Sequence, residues 1–206
     1  MKLYLSSYEL GSAAGRLKAM TPHDKIAYIP NARDYSNVDP ERRINRDDHD
    51  TSALRALGLE VELVDLRRFF GRPDALRGKL ETIGAIFISG GNVFILRQAM
   101  RLSGLDDILT GLRRRPDFLY AGYSAAGCVL APSLKGYEIV DPVETPYAEL
   151  DEIIWEGLGL LDFAFVPHWK SDHPESAAVD QVIEFCRRHD VGYRALRDGE
   201  VLIDEI

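Results

Sequence analysis

The chain is poor in cysteine. Its 206 residues hold two, Cys128 and Cys186. That is too few for a disulfide framework, and they are not spaced as a CxxC pair, so a reducing cytoplasm is the expected setting. Long apolar runs are also missing. None approaches the roughly 20 residues needed to span a bilayer, and the opening MKLYLSSYELG has too short an apolar stretch for a secretory signal. Basic residues are in deficit, with 25 Lys and Arg against 33 Asp and Glu and a formal net charge of −8. That balance disfavours nonspecific binding to nucleic acid or to an anionic membrane, so neither is expected as a partner. There is no repeat, low-complexity tract or long linker. A chain of this length buries one core well and two poorly, so residues 1–206 are expected to form a single domain.

The composition, 46% hydrophobic and 28% charged, is that of an ordinary globular protein. Short apolar, β-rich runs recur: LYLSSY (3–8), KIAYIP (25–30), EVELVDL (60–66), AIFISG (85–90) and FLYAGY (118–123). Near-continuous hydrophobicity of this kind marks parallel strands covered on both faces. Between them lie segments with helical spacing, among them PERRINRDDHDTSALRALG and NVFILRQAMRLSGLDDILTGLRRR, with Gly58 and Gly84 placed to end helices. An irregular stretch (132–162) precedes a further strand, FAFVPHW (163–169), and a helix over 174–190. The closing YRALRDGEVLIDEI predicts an antiparallel hairpin turned at Asp198-Gly199. The pattern predicts an α/β fold, a doubly wound, mostly parallel sheet with helices on both faces and an antiparallel C-terminal hairpin. Such sheets carry their sites at the carboxyl ends of the strands. Those ends are Ser6–Ser7, Asn31–Asp34, Gly90–Asn92, Ser124 and His168.

One of these ends nearly spells a nucleophile elbow. In YAGYSAAGCVLAP (120–132) a strand runs into Ser124 and a helix start follows, but Ala126 replaces the second glycine of G-x-S-x-G. A helix N-terminus there would offer backbone N–H groups to a developing oxyanion. The bland alternative is a tight turn with a small polar cap. A second glycine pair, ISGGNVF (88–94), ends a neighbouring strand and could supply another N–H, so Gly91 and Ala125 are the candidate oxyanion donors.

A serine hydroxyl needs a base, usually histidine. Of five histidines, His23, His49 and His189 lie in polar segments, whereas His168 follows a buried strand at the right edge; His173 is the reserve. For the orienting acid, Asp141 fits the order Ser…Asp…His, with Glu138, Glu144 and Asp172 as competitors. Cys128 falls about one turn beyond the serine and reads as packing. DDHD (47–50) and HWKSDH (168–173) lack a recognised metal-site spacing, so no metal and no cofactor are expected.

The ordered set YLSSYELG, YIPNARD, GGNVF, GYSAAG…AP and GLGLLDFAFVPHW resembles the serine-peptidase family of dipeptidase E and cyanophycinase over most of the chain. The resemblance implies a class I glutamine amidotransferase-like, flavodoxin-like fold. It also implies Ser124 as nucleophile, His168 as base, Gly91 and Ala125 as the oxyanion hole, and an acid from the 138–144 loop. The implied substrate is a small peptide, in dipeptidase E one with an N-terminal aspartate; Arg97, Lys135 and Lys170 are candidate cations for its carboxylate. Two departures stand out. The family's Ser-Ala-Gly-Ala is here Ser-Ala-Ala-Gly, and the acid loop differs in spacing. An esterase or amidase with the same triad, and a non-catalytic amidotransferase-like module, are the rival readings. A homodimer is left open.

Overall fold

The computed structural model describes residues 1–35 and 39–206. Five strands form the parallel body of the main sheet: β1 (Lys2–Ser6), β2 (Lys25–Ile29), β3 (Glu60–Leu63), β4 (Ala85–Ile88) and β5 (Leu119–Tyr123). The last strand, β8 (Val201–Glu205), lies antiparallel against β1 and completes the order β3-β2-β4-β5-β1-β8. Between the two, β6 (Ala164–Val166) and β7 (Tyr193–Ala195) pair with each other in a separate parallel ribbon.

Alternation along the strands divides the core in two, because successive side chains leave opposite faces. Leu3, Leu5, Ala27, Ile29, Ile86 and Ile88 face one cluster, while Tyr4, Ile26, Tyr28, Phe87, Ala121 and Tyr123 face the other. The second cluster is covered by α1 (Ala14–Met20) and α2 (Pro40–Ala56), through Leu17 and Leu54. The first is covered by α3 (Pro73–Ile83), α4 (Val93–Ser103), α5 (Leu105–Leu112), the short α6 (Ala125–Cys128) and α7 (Ser176–Arg188). Both faces are therefore buried, as the unbroken apolar runs of β2 and β4 require.

Two expectations are revised. The single helical stretch across 92–115 is two helices, since Gly104 takes φ 74° between α4 and α5 and its missing Cβ would fall 2.6 Å from Cβ of Pro73. The antiparallel C-terminal strand is present, but its partner is β1 rather than the strand before it. Residues 193–195 and 201–205 flank the Asp198-Gly199 turn and then part, one to β6 and the other to the main sheet. Pairing with buried β1 covers Leu202 and Ile203 against the core clusters, which a free hairpin would leave wet.

Candidate active site

The parallel register brings the carboxyl ends of β1, β4 and β5 to one edge, with Ser6 opposite Tyr123 and Ile88 opposite Gly122. β5 runs directly into Ser124, which adopts φ 49°, ψ −110° before α6 begins. A non-glycine residue in that region carries strain on the order of 1–3 kcal/mol. The surroundings hold it there. Ser124 N–H donates to Ser6 O at 3.2 Å, and Gly127 and Cys128 N–H both donate to Ser124 O. The elbow leaves the hydroxyl at a half-buried position, reachable from solvent.

The departure at Ala126 is accommodated by its neighbours. A Cβ on Gly122 would lie 2.5 Å from Cβ of Ala126, so the methyl at 126 occupies the space that Gly122 leaves. Gly127, the other half of the exchanged pair, has the Phe165 ring 2.4 Å from where its Cβ would be. The elbow is closed on both sides by the residues that carry no side chain.

His168 follows β6 and its imidazole is buried. Its Nε2 lies 3.1 Å from Ser124 Oγ and its Nδ1 lies 2.7 Å from Asp198 Oδ1. The Ser7 hydroxyl ties the two together, donating to Asp198 Oδ1 at 2.8 Å and accepting the His168 N–H at 2.8 Å. Ser171 Oγ accepts the Asp198 N–H at 2.7 Å. Burial lowers the His168 pKa from its ordinary value; the neighbouring His173 lowers it further, and Asp198 acts in the opposite sense. The imidazole is thus held neutral, with Nδ1–H on the carboxylate and the Nε2 lone pair toward the serine. That arrangement can take a proton from the hydroxyl.

The acid at the imidazole is therefore Asp198 and not Asp141. Asp141 Oδ2 accepts the Val93 N–H at 2.8 Å at the start of α4. Desolvation pushes its carboxyl up to about 7, with the Val93 N–H lowering it and Glu175 raising it. Of its competitors, Glu138 folds back to the Gly136 N–H, and Glu144 and Asp172 line the pocket mouth. Asp198 lies beyond the histidine in sequence, in a turn that β7 delivers by pairing with β6. Leu196 N–H donates to Val166 O, and Trp169 N–H to Leu196 O. An Asp-Gly pair reads locally as turn chemistry, and nothing local distinguishes it from any other. Ser7 was named only as a strand end, and its bridging role needs the third dimension.

Gly90 and Gly91 abut the elbow. A Cβ on Gly90 would stand 3.3 Å from Cβ of Ser124, and one on Gly91 would stand 2.3 Å from Ala32 O. Gly91 also takes φ 148°, so backbone fit excludes any other residue there. Among the described residues, neither the Gly91 nor the Ala125 N–H has an acceptor, which leaves both available to a ligand oxygen. His23, His49 and His189 are exposed, and Cys128 is buried with Sγ 3.3 Å from Phe165 O.

A cavity of about 630 Å³ opens over Ser124 and His168. Arg42, Arg43 and Arg46 of α2 line it, together with Glu144, Asp172 and Glu175. Among the described residues Arg42 and Arg46 meet no carboxylate, whereas Arg43 pairs with Asp34. Arg33 is committed to Asp47 and Asp50, at 2.6 and 2.7 Å. The cations singled out in the sequence are elsewhere. Arg97 pairs with Asp106 beneath α4, and neither Lys135 nor Lys170 lines the cavity. Periodicity alone gave α2 no reason to be turned toward the site.

Comparison with known proteins points to one family. Residues 5–204 match peptidase family S51. Peptidase E of Streptomyces coelicolor is 32% identical over 161 residues, which cover 75% of this chain and 63% of that one. An uncharacterized peptidase of Listeria monocytogenes is 28% identical over 140 residues, 68% of this chain and 65% of that one. The matched stretch thus spans less than two thirds of these relatives. In fold, a Listeria monocytogenes protein assigned to peptidase E superposes with a TM-score of 0.74 at 19% identity, covering 100% of this chain and 98% of its own. A peptidase from an acI-B1 actinobacterium superposes with a TM-score of 0.69 at 15% identity, covering 99% and 83%.

Proposed function

The chain belongs to peptidase family S51, and from that premise we propose that it is a serine peptidase acting through Ser124, His168 and Asp198. The observation that carries the proposal is the unbroken hydrogen-bonded chain from Ser124 Oγ through the imidazole to the Asp198 carboxylate. Ser124 attacks the scissile carbonyl while His168 Nε2 takes its proton. Asp198 holds the tautomer and stabilises the imidazolium as it forms. The carbonyl oxygen, now negative, rests on the N–H groups of Gly91 and Ala125. His168 returns the proton to the departing amine, and water then hydrolyses the acyl-enzyme by the same steps in reverse.

The substrate that fits is a small peptide with an acidic N-terminal residue. Arg42 and Arg46, which meet no carboxylate among the described residues, offer cations for its side-chain carboxylate, and Asp172 and Glu175 in the same lining suit its α-ammonium. An ester substrate would favour an apolar acyl pocket, which this charged lining does not provide. With no described helix long and apolar enough to cross a membrane and both thiols free, the cytoplasm is the proposed site of action.

The test is intact-mass spectrometry after incubation with a small fluorophosphonate, on wild type, Ser124→Ala and His168→Ala. One adduct on wild type, absent from both variants, is expected, followed by faster hydrolysis of Asp-X than of Ala-X dipeptides. A folded wild type that takes no adduct would overturn the peptidase reading.

A further inference from the structure

The hydrolytic chain leaves two nearby groups unused. Beyond His168 the backbone turns back before α7, and the His173 ring stacks on the His168 ring with centroids 3.7 Å apart and planes 8° from parallel. Glu175 follows two residues on. One donor atom from each of His168, His173 and Glu175 lies within 4.8 Å of the other two. Among the described residues the Glu175 carboxylate meets no cation and accepts no hydrogen bond. Burial raises its pKa, and the Asp198 charge adds to the rise. A half-buried, unpartnered carboxylate beside two neutral imidazoles attracts a cation.

The state of His168 adds an independent argument. Its Nδ1 is bonded to a carboxylate, which leaves the Nε2 lone pair on the Ser124 side, among residues that line the cavity. Metal-ligating imidazoles are held in this same way, by a carboxylate on the far nitrogen. The tautomer that suits proton abstraction also suits metal ligation.

We propose that His168, His173 and Glu175 form a site for a divalent cation of borderline softness, with Zn²⁺ as its best fit. Two imidazole nitrogens and one carboxylate oxygen are a known zinc donor set with a fourth position open. Tetrahedral ligation at about 2.0–2.2 Å would draw the donors to a spacing of about 3.3 Å. Because a metal lies in the plane of each imidazole that holds it, the His173 ring must also turn out of its parallel stack on His168. Glu175 N–H reaches His173 Nδ1 at 3.3 Å, a long bond that holds the ring loosely.

The ion would not serve catalysis. With Nε2 ligated, His168 has no lone pair for the serine proton, so bound zinc silences the site reversibly. This consequence rests on the peptidase reading above; the binding itself does not.

The test is calorimetric titration of ZnCl₂ into chelator-treated wild type, His173→Ala, Glu175→Gln and His189→Ala, with circular dichroism verifying the fold of each. One ion per chain is expected to bind wild type and His189→Ala alike. Loss of a ligand should weaken binding at least about tenfold, since even outer partners of a metal ligand are worth that much. No saturable binding to wild type, or equal affinity in all four proteins, would overturn the site. In parallel, fluorophosphonate labelling of wild-type Ser124 should slow with zinc and recover with EDTA. Labelling indifferent to bound zinc would overturn ligation by His168. No labelling even without zinc would be a failure of the peptidase reading, and the isotherms would still judge the metal site.

Discussion

Replacing Asp198 by asparagine tests the assignment of the acid. The carboxylate accepts two hydrogen bonds at Oδ1, from His168 Nδ1 at 2.7 Å and from the Ser7 hydroxyl at 2.8 Å. Asparagine keeps the shape but has no charge, and its amide N–H₂ can turn toward Nδ1. The ring then favours the tautomer with its proton on Nε2, where it cannot accept from Ser124. In a Ser-His-Asp chain that error costs about 10⁴ in kcat, equivalent to about 5 kcal/mol of transition-state stabilisation. Ser7 Oγ bonds that same atom, so it would accept from the amide N–H₂ and turn its own hydroxyl to Leu196 O, 3.3 Å away; the fold and KM should change little. The assay is kcat and KM on the best acidic dipeptide, for Asp198→Asn beside Asp141→Asn. The first is expected to lose about three to four decades of kcat, and the second to keep most of it. Activity of Asp198→Asn within about tenfold of wild type, or a collapse confined to Asp141→Asn, would refute the reasoning.

Two other outcomes concern stability. Asp141 has its carboxyl raised from the ordinary 3.8 to about 7, chiefly by desolvation, so the folded state holds a proton that the unfolded state releases. Stability should fall as pH rises between those values, with a ceiling of about 4 kcal/mol. Asp141→Asn, which can still accept the Val93 N–H, should remove that slope in urea titrations at pH 5 and 8. A slope unchanged in the variant would sink the idea. Gly122→Ala would place a methyl 2.5 Å from both Ala126 Cβ and Ile88 O, an overpacking cost of about 1–3 kcal/mol. Because the second contact is backbone, Gly122→Ala/Ala126→Gly should be rescued only in part. Full recovery of Tm in the double variant would show that Ala126 alone sets the limit.

Much of the architecture could be read from short-range pattern. Runs such as AIFI and the IAYI of β2 are apolar at every position, which only a strand buried on both faces needs, and both became inner strands. The rule that open sheets carry their sites at strand ends brought Ser124, His168 and Gly91 forward, and the structure gathers all three around one cavity. The break at Gly104 was harder to see, since a glycine within helical spacing can be tolerated or can end the helix. Contact with Pro73 decides which.

The sequence by itself determined the alternation of strand and helix, the buried faces, and the small residues that let a serine sit strained at the head of α6. These are properties of neighbours within a few residues, where sterics and hydrophobic period act directly. The tertiary structure alone decided that β8 pairs with β1, that α2 turns Arg42 and Arg46 toward the cavity, and that Asp198 rather than Asp141 meets His168. It also placed Ser7 across 161 residues from the backbone it supports. A carboxylate in a turn has the same local chemistry wherever the turn goes. Only the pairing of β6 with β7 carries this one to the imidazole.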